Sequence, residues 1–449
     1  MNMPHDTRIK KLLIIGFAMT FLYGLQLSLT IYTFSDFLKA FLTEKYIGIL
    51  YLLASILTLY VLNIYNKVIN KYHNFKVTST LLALNALSLC MLSINHNVYI
   101  VACYSIFNII FNALLAVSLN LYIEEWTEHH DIGMIRGLAI TITSISLICG
   151  LFLSKIFIGT DIGLAQILSG FNTTYGSLYL ASAVVLLGML YLCRHYFDHV
   201  REPVYAGGHM WQVIGSLYRN RDLKGVFIAN LILNTYVAVM ISYFVIYMRD
   251  YTTISMPDYI GTIMPIALLP FIFLPFTIGH LTDKKHNEKS LITIGISIMI
   301  ISLLCIPLLT TYTHSLVVTA TEQVQSAHIV NSLDVLAVGS QDQIDTANHH
   351  LYGQVVIMWA MLLLLGRIGS SVVETAASSY FYKKVSKSDN DMIALFTNAG
   401  PMGGIFAAVI AIAAYYLNQI LGITYSLFII TAIVMLFSLK YIAQIRKVI

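Results

Sequence analysis

The chain has 449 residues, 58% of them hydrophobic and 11% charged, against roughly 25% charged in a soluble domain. With a mean hydropathy of +0.76 a soluble globular protein is excluded. A nucleic-acid binder is excluded too, since 26 Lys and Arg against 22 Asp and Glu leave a net charge of only +4.

The first apolar run, 12–34, is too long for a signal-peptide core and lacks a small-residue cleavage site, so it reads as a retained span. Further runs at 46–65, 77–94, 98–122, 134–158, 174–193, 225–247, 258–279, 291–312, 354–377, 392–418 and 420–439 complete a set of twelve. Runs of this length without strict alternation predict an all-α polytopic membrane protein, because only helices satisfy their own backbone in lipid at that spacing. The five cysteines, Cys90, Cys103, Cys149, Cys193 and Cys305, fall in or beside these runs with no CxxC spacing. Packing is expected of them, with no disulfide framework, metal site or cofactor.

Basic residues gather at every second boundary, in groups such as Arg8, Lys10 and Lys11, then Lys67, Lys71 and Lys76, then Arg136, and later Lys383, Lys384 and Lys387. The alternate connections hold only Lys39, Lys45, Lys155 and Arg249. By the positive-inside rule both termini are expected in the cytoplasm. Residues 194–224, with Pro203 and the Gly207-Gly208 pair, read as a cytoplasmic linker between an N-terminal bundle, 1–193, and a C-terminal bundle, 225–449. Residues 313–353 contain Glu322, Asp334, Asp342 and Asp345 but no Lys or Arg, and read as a solvated external loop. Their histidines lack ligand spacing.

The halves resemble each other. Lys71-x-His73-Asn74-x-Lys76 after span two and Lys284-x-His286-Asn287-x-Lys289 after span eight match in register, 213 residues apart, and the same offset carries span one onto span seven. These stretches resemble the Gly-x-x-x-Asp-Arg/Lys-x-Gly-Arg/Lys-Arg/Lys loop of the major facilitator superfamily. The second copy keeps Gly279, Asp283 and Lys284, with His286 in place of the later glycine. The first has Asn66 and Asn70 where Gly and Asp belong and matches at Lys71. The resemblance implies two pseudo-symmetric six-helix bundles that rock about a central cavity lined by spans one, four, seven and ten. It also implies a cytoplasmic gate in which Gly279 allows close helix approach and Asp283 docks near Ile132 to Arg136. Gly400-Pro401-Met402-Gly403-Gly404 in span eleven is similar to the Gly-Pro-x-x-Gly-Gly motif of drug/proton antiporters, but that motif belongs in span five, so a packing kink is the reading preferred.

Of the 22 carboxylates, Glu374 alone falls well inside a predicted span, and Arg367 is the only basic residue as deep. Arg367, Ser371, Glu374 and Ser378 recur at helical spacing on one face. Charges at that depth face a cavity or one another, so Glu374 is a candidate proton-coupling group, and Arg367 with Ser371 candidate substrate ligands. Softer candidates on cavity-lining spans are Tyr23, Gln26, Asn108, Asn112, Asn230 and Asn234, although amides in membranes also join helices. No GxSxG, HExxH, Walker A or Rossmann signature is present. A membrane-embedded enzyme or receptor is therefore disfavoured.

The expectation is a monomeric secondary transporter in a bacterial inner membrane, moving a small polar or anionic solute with proton coupling. Uniport and multidrug efflux stay open as alternatives.

Overall fold

The computed structural model describes residues 5–125, 132–159, 175–197, 220–252, 254–285, 287–331, 340–385, 392, 395–396 and 398–445. Six apolar runs of the N-terminal part become α1 (His5–Ile31), α3 (Glu44–Tyr72), α4 (Asn74–Ile94), α5 (Val98–Glu125), α6 (Ile132–Gly159) and α7 (Gly176–Tyr196), with a buried short helix, α2 (Phe34–Lys39), capping the far end of α1. α3 passes into α4 through a single residue, His73, whose φ of 68° makes the reversal. The expected linker 194–224 falls largely outside the described residues.

The C-terminal part is less regular. Its first span breaks at Tyr243 into α8 (Arg221–Ser242) and α9 (Phe244–Tyr251). The next is assembled from α10 (Met256–Asp258), a π-helical turn at Tyr259–Ile263, α11 (Met264–Leu268) and α12 (Pro270–Lys285). Pro265 and Pro270 explain the interruptions: each lacks an N–H, and each ring crowds the carbonyl one turn back, which a widened turn relieves. α13 (Glu288–Asn331), α14 (Ser340–Lys384), α15 (Ala399–Leu421) and α16 (Ser426–Ile442) complete the chain.

Among the described residues eleven helical segments are long and apolar enough to cross a membrane, and the 17-residue α16 is a shorter apolar one. The expected last span, 420–439, starts later because Gly422 ends α15 in the left-handed conformation. The expected loop 313–353 is helical on either side of 332–339, as extensions of α13 and α14.

Buried apolar side chains sort into two large clusters that follow the two halves. One is built on residues such as Met19, Phe37, Leu82 and Leu115, and the other on Ile263, Met299, Trp359 and Phe428. Within the first half α1 packs on α6 and α7; within the second α13 packs on α14 and α16. The halves meet where α3 lies on α15, where α6 lies on α12, and where α2 touches α9. The Gly400–Gly404 run was read as a packing kink; it lies inside the single helix α15 and makes a close helix contact at Gly403. A Cβ at Gly403 would come within 2.7 Å of the backbone of Asn234 and Thr235 on α8, so a larger residue would force the helices apart.

Candidate functional site

α14 carries the deep polar face at the junction of the halves. Arg367 is 5% exposed, Ser370 and Ser371 are fully buried, and Glu374 and Ser378 keep part of their surface. Ser370 donates to the Arg367 carbonyl at 3.0 Å, and Ser371 donates to the Pro270 carbonyl at 3.4 Å. Ser371 therefore fastens α14 to the proline-broken helix. That carbonyl lies in the interrupted stretch, where the regular helical ladder is incomplete.

Arg367 and Glu374 are seven residues apart, about 10 Å along the axis at 1.5 Å per residue, and the guanidinium charge acts on the carboxylate across that gap. Neither side chain forms a hydrogen bond or an ion pair among the described residues.

Three tyrosines that sequence reasoning did not single out stand in the field of Arg367: Tyr32 in the turn after α1, Tyr236 of α8 and Tyr259 of the π turn. All three are at most 2% exposed. Tyr236 is bonded to Ser302 of α13, and its hydroxyl sits so close to Gly366 that a Cβ there would be 2.2 Å away. The residue beside Arg367 is thus glycine because a tyrosine hydroxyl occupies the space. The Tyr259 hydroxyl is buried without a hydrogen-bond partner among the described residues. The sequence signal for these tyrosines is weak, since they are three of 29.

The softer candidates divide. Asn108 donates to the Oδ1 of Asn85 at 2.9 Å, Asn85 donates to the Oδ1 of Asn112 at 3.0 Å, and the Tyr23 hydroxyl donates to the Asn112 carbonyl at 2.9 Å. This chain ties α1, α4 and α5 together, so these amides bond to one another rather than standing free along a cavity. Asn85, the central link, was not anticipated. Asn230 donates to the Phe396 carbonyl at 3.0 Å, and Asn234 donates back onto Asn230 at 2.8 and 3.0 Å; both are half-buried. Gln26 is fully buried, and its side-chain amide has no partner among the described residues.

At the end of the bundle opposite the termini, three ion pairs between described residues cross from one half to the other. Asp36 accepts from Arg249 at 2.5 Å and from the hydroxyl of Tyr175; Lys39 bonds to Asp250; and Lys155 stands 3.5 Å from Asp258 while bonding to Thr262 at 3.2 Å. Asp258 also accepts from Ser255 and Tyr352, at 2.7 and 2.8 Å. Asp36 is only 3% exposed, so the expectation of a single buried acid is corrected. The predicted end of span one at residue 34 hid it, because the helical stretch goes on after a two-residue turn as α2, which carries Asp36. Glu288 is a further case, 1% exposed and paired with Lys383 at 2.9 Å near the termini. Lys383 also donates to the Thr282 carbonyl at 3.1 Å.

The gate motif is only partly described. A Cβ at Gly279 would meet no described atom within 4 Å, so the close approach expected there is not made by the described residues. Asp283, Lys284 and Arg136 lie on α12 and α6, with their side chains outside the described residues, and so does the expected docking between them. Asn70 and Lys71 are exposed, and the Lys71 ammonium lies 5.1 Å from the centre of the Tyr72 ring.

A family model described as Major Facilitator Superfamily matches residues 16–330. No curated protein matches the chain at a significant level. Among solved structures, a bacterial homologue of the human lysosomal transporter Spinster, inward-facing and unoccupied, superposes with a TM-score of 0.66 at 10% identity, covering 98% of this chain and 97% of that one. The nucleoside transporter NupG superposes with a TM-score of 0.65 at 13% identity, covering 97% of this chain and 99% of that one. At such identities the likeness extends to the fold alone.

Proposed function

Because this chain belongs to the Major Facilitator Superfamily, and is thereby a multi-pass membrane transporter rather than an enzyme, we propose that it carries a small anionic or polar organic solute by proton-coupled alternating access. Both termini would be cytoplasmic and the membrane a bacterial inner membrane. The observation that carries the proposal is the pair Arg367 and Glu374: two opposite charges deep in one helix, each without a hydrogen bond or ion pair among the described residues. An ionised side chain at mid-bilayer costs several kcal/mol even on lenient insertion scales, so the position is retained for a purpose that direct pairing would defeat.

Arg367 offers a planar fork that grips a carboxylate or phosphate with two parallel hydrogen bonds. The buried hydroxyls of Tyr32 and Tyr259 stand ready to complete the grip, and Tyr32 comes from the other half, so a bound solute would touch both bundles. Glu374, which keeps part of its surface accessible, would take up and release the coupling proton.

The test is substitution of Arg367 by Lys and by Ala, with expression, melting temperature and binding measured over a metabolite panel. Arg367→Lys should fold and bind at least tenfold more weakly, since an ammonium is a point charge. Wild-type affinity in a well-folded Arg367→Lys protein would remove Arg367 from the site.

A further inference from the structure

Opposite charges elsewhere in the helical bundle touch: Asp36 with Arg249, Asp258 with Lys155 and Glu288 with Lys383 lie 2.5 to 3.5 Å apart. Only the deepest pair is held open, with Arg367 and Glu374 about two helical turns apart and unbonded among the described residues. The other charged and titratable groups on α14 and on the helices packed against it lie toward helix ends: Arg221, Asp222 and Lys224 on α8, His280 with the Asp283–Lys285 run on α12, Glu288 and Lys289 at one end of α13 with His314, Glu322 and His328 toward the other, and Asp342, Asp345, His349 and His350 at one end of α14 with Lys383 and Lys384 at the other. The charged group that acts on Glu374 is Arg367, and the buried phenols of Tyr32, Tyr236 and Tyr259 stand in the field of Arg367.

We propose that the open pair is a charge-balanced loading site, at which one organic monocarboxylate on Arg367 and one proton on Glu374 are carried together, electroneutrally and one to one. The proposal rests on the reading of Arg367 as the substrate ligand. Its physics is a count of charges in a low-dielectric region. With the site empty, guanidinium and carboxylate sum to zero. With a monoanion on Arg367 and a proton on Glu374 they again sum to zero. Anion alone leaves −1, and proton alone leaves +1; both half-loaded forms leave an uncompensated charge at the depth where that is most costly. The half-loaded carrier is therefore disfavoured in crossing, and the two fluxes are locked together.

The proton moves from solvent onto the Glu374 carboxylate on one face and back to solvent on the other, so nothing else is consumed. The same count selects the ligand. A phosphate monoester is close to a dianion at neutral pH and would leave the loaded site at −1, so a carboxylate is preferred although either fits the guanidinium fork.

The experiment uses the purified full chain. Melting temperature is measured with lactate, benzoate and quinate as monoanions, succinate and glycerol 3-phosphate as dianions, and inosine and lactamide as neutral probes. A shift from at least one monoanion, lost in Arg367→Gln, is expected; no shift from any monoanion overturns the substrate class. The monoanion that binds is then followed into liposomes. One unit of imposed pH gradient should accumulate it about tenfold, while a 100 mV potential should change accumulation less than twofold, against about 50-fold for a carrier that moves one net charge. A 50-fold response overturns electroneutrality but leaves the Arg367 site standing. Undiminished binding by Arg367→Gln overturns the reading beneath it.

Discussion

The contact between Asp36 and Arg249 joins the two halves only while the face opposite the termini is closed, so removing it should move the conformational equilibrium. The two partners are unequal: the Asp36 side chain is 3% exposed and that of Arg249 49%. Arg249→Ala leaves a buried carboxylate with the Tyr175 hydroxyl as its remaining described donor. A hydrogen bond to a charged group contributes about 1.5–3 kcal/mol, and because Arg249 is half solvated the lower end, about 1.5 kcal/mol, is the better figure. That amount corresponds to about a tenfold shift toward the state open on this face. Asp36→Asn should do less harm, since it removes the buried charge, still accepts from Tyr175, and leaves a guanidinium that water can reach. Spin labels at Thr43 and Ile423, in a background lacking the five native cysteines, would report the separation of the halves by pulsed dipolar spectroscopy. An unchanged distance distribution in Arg249→Ala, or a larger effect from Asp36→Asn, would refute this account of the clasp.

Glu374→Gln keeps the shape of the side chain and removes its titration, so gradient-driven accumulation should be abolished while counterflow exchange persists; concentrative uptake at the wild-type level would reduce Glu374 to a structural group. Gly403→Ala places a methyl 2.7 Å from the α8 backbone and should cost about 1–3 kcal/mol as overpacking, read as a fall in melting temperature, whereas Gly279→Ala, with no described atom within 4 Å, should change it little. Epitope tags at Gly208 and at the C-terminus should be reached only from the cytoplasm and one at Gln341 only from outside, and cytoplasmic accessibility at Gln341 would sink the twelve-span arrangement.

Hydropathy is a local, additive property of consecutive residues, and what it governs was legible: the helical class, twelve apolar runs, of which the structure makes eleven long spans and one shorter helix among the described residues, and the placement of Arg367 and Glu374 within one span. Which distant residues meet is not additive along the chain, and only the tertiary structure decided it. Asp36 read as a loop acid, yet it lies on α2, where it pairs with Arg249, 213 residues away. Asn108 and Asn112 have the residue type of a cavity lining, yet Asn85, on another helix, takes up both. Tyr32, Tyr236 and Tyr259 could not be told from the other tyrosines, because their distinction is that they stand in the field of Arg367 from three separate stretches of chain. The eighth span read as one uninterrupted run, and both its break at Pro265 and Pro270 and the bond from Ser371 to the Pro270 carbonyl came from the structure. Burial energy places each helix in the membrane one residue at a time; the site exists only where packing brings side chains of separate helices within a few ångströms, and no single stretch of sequence carries that information.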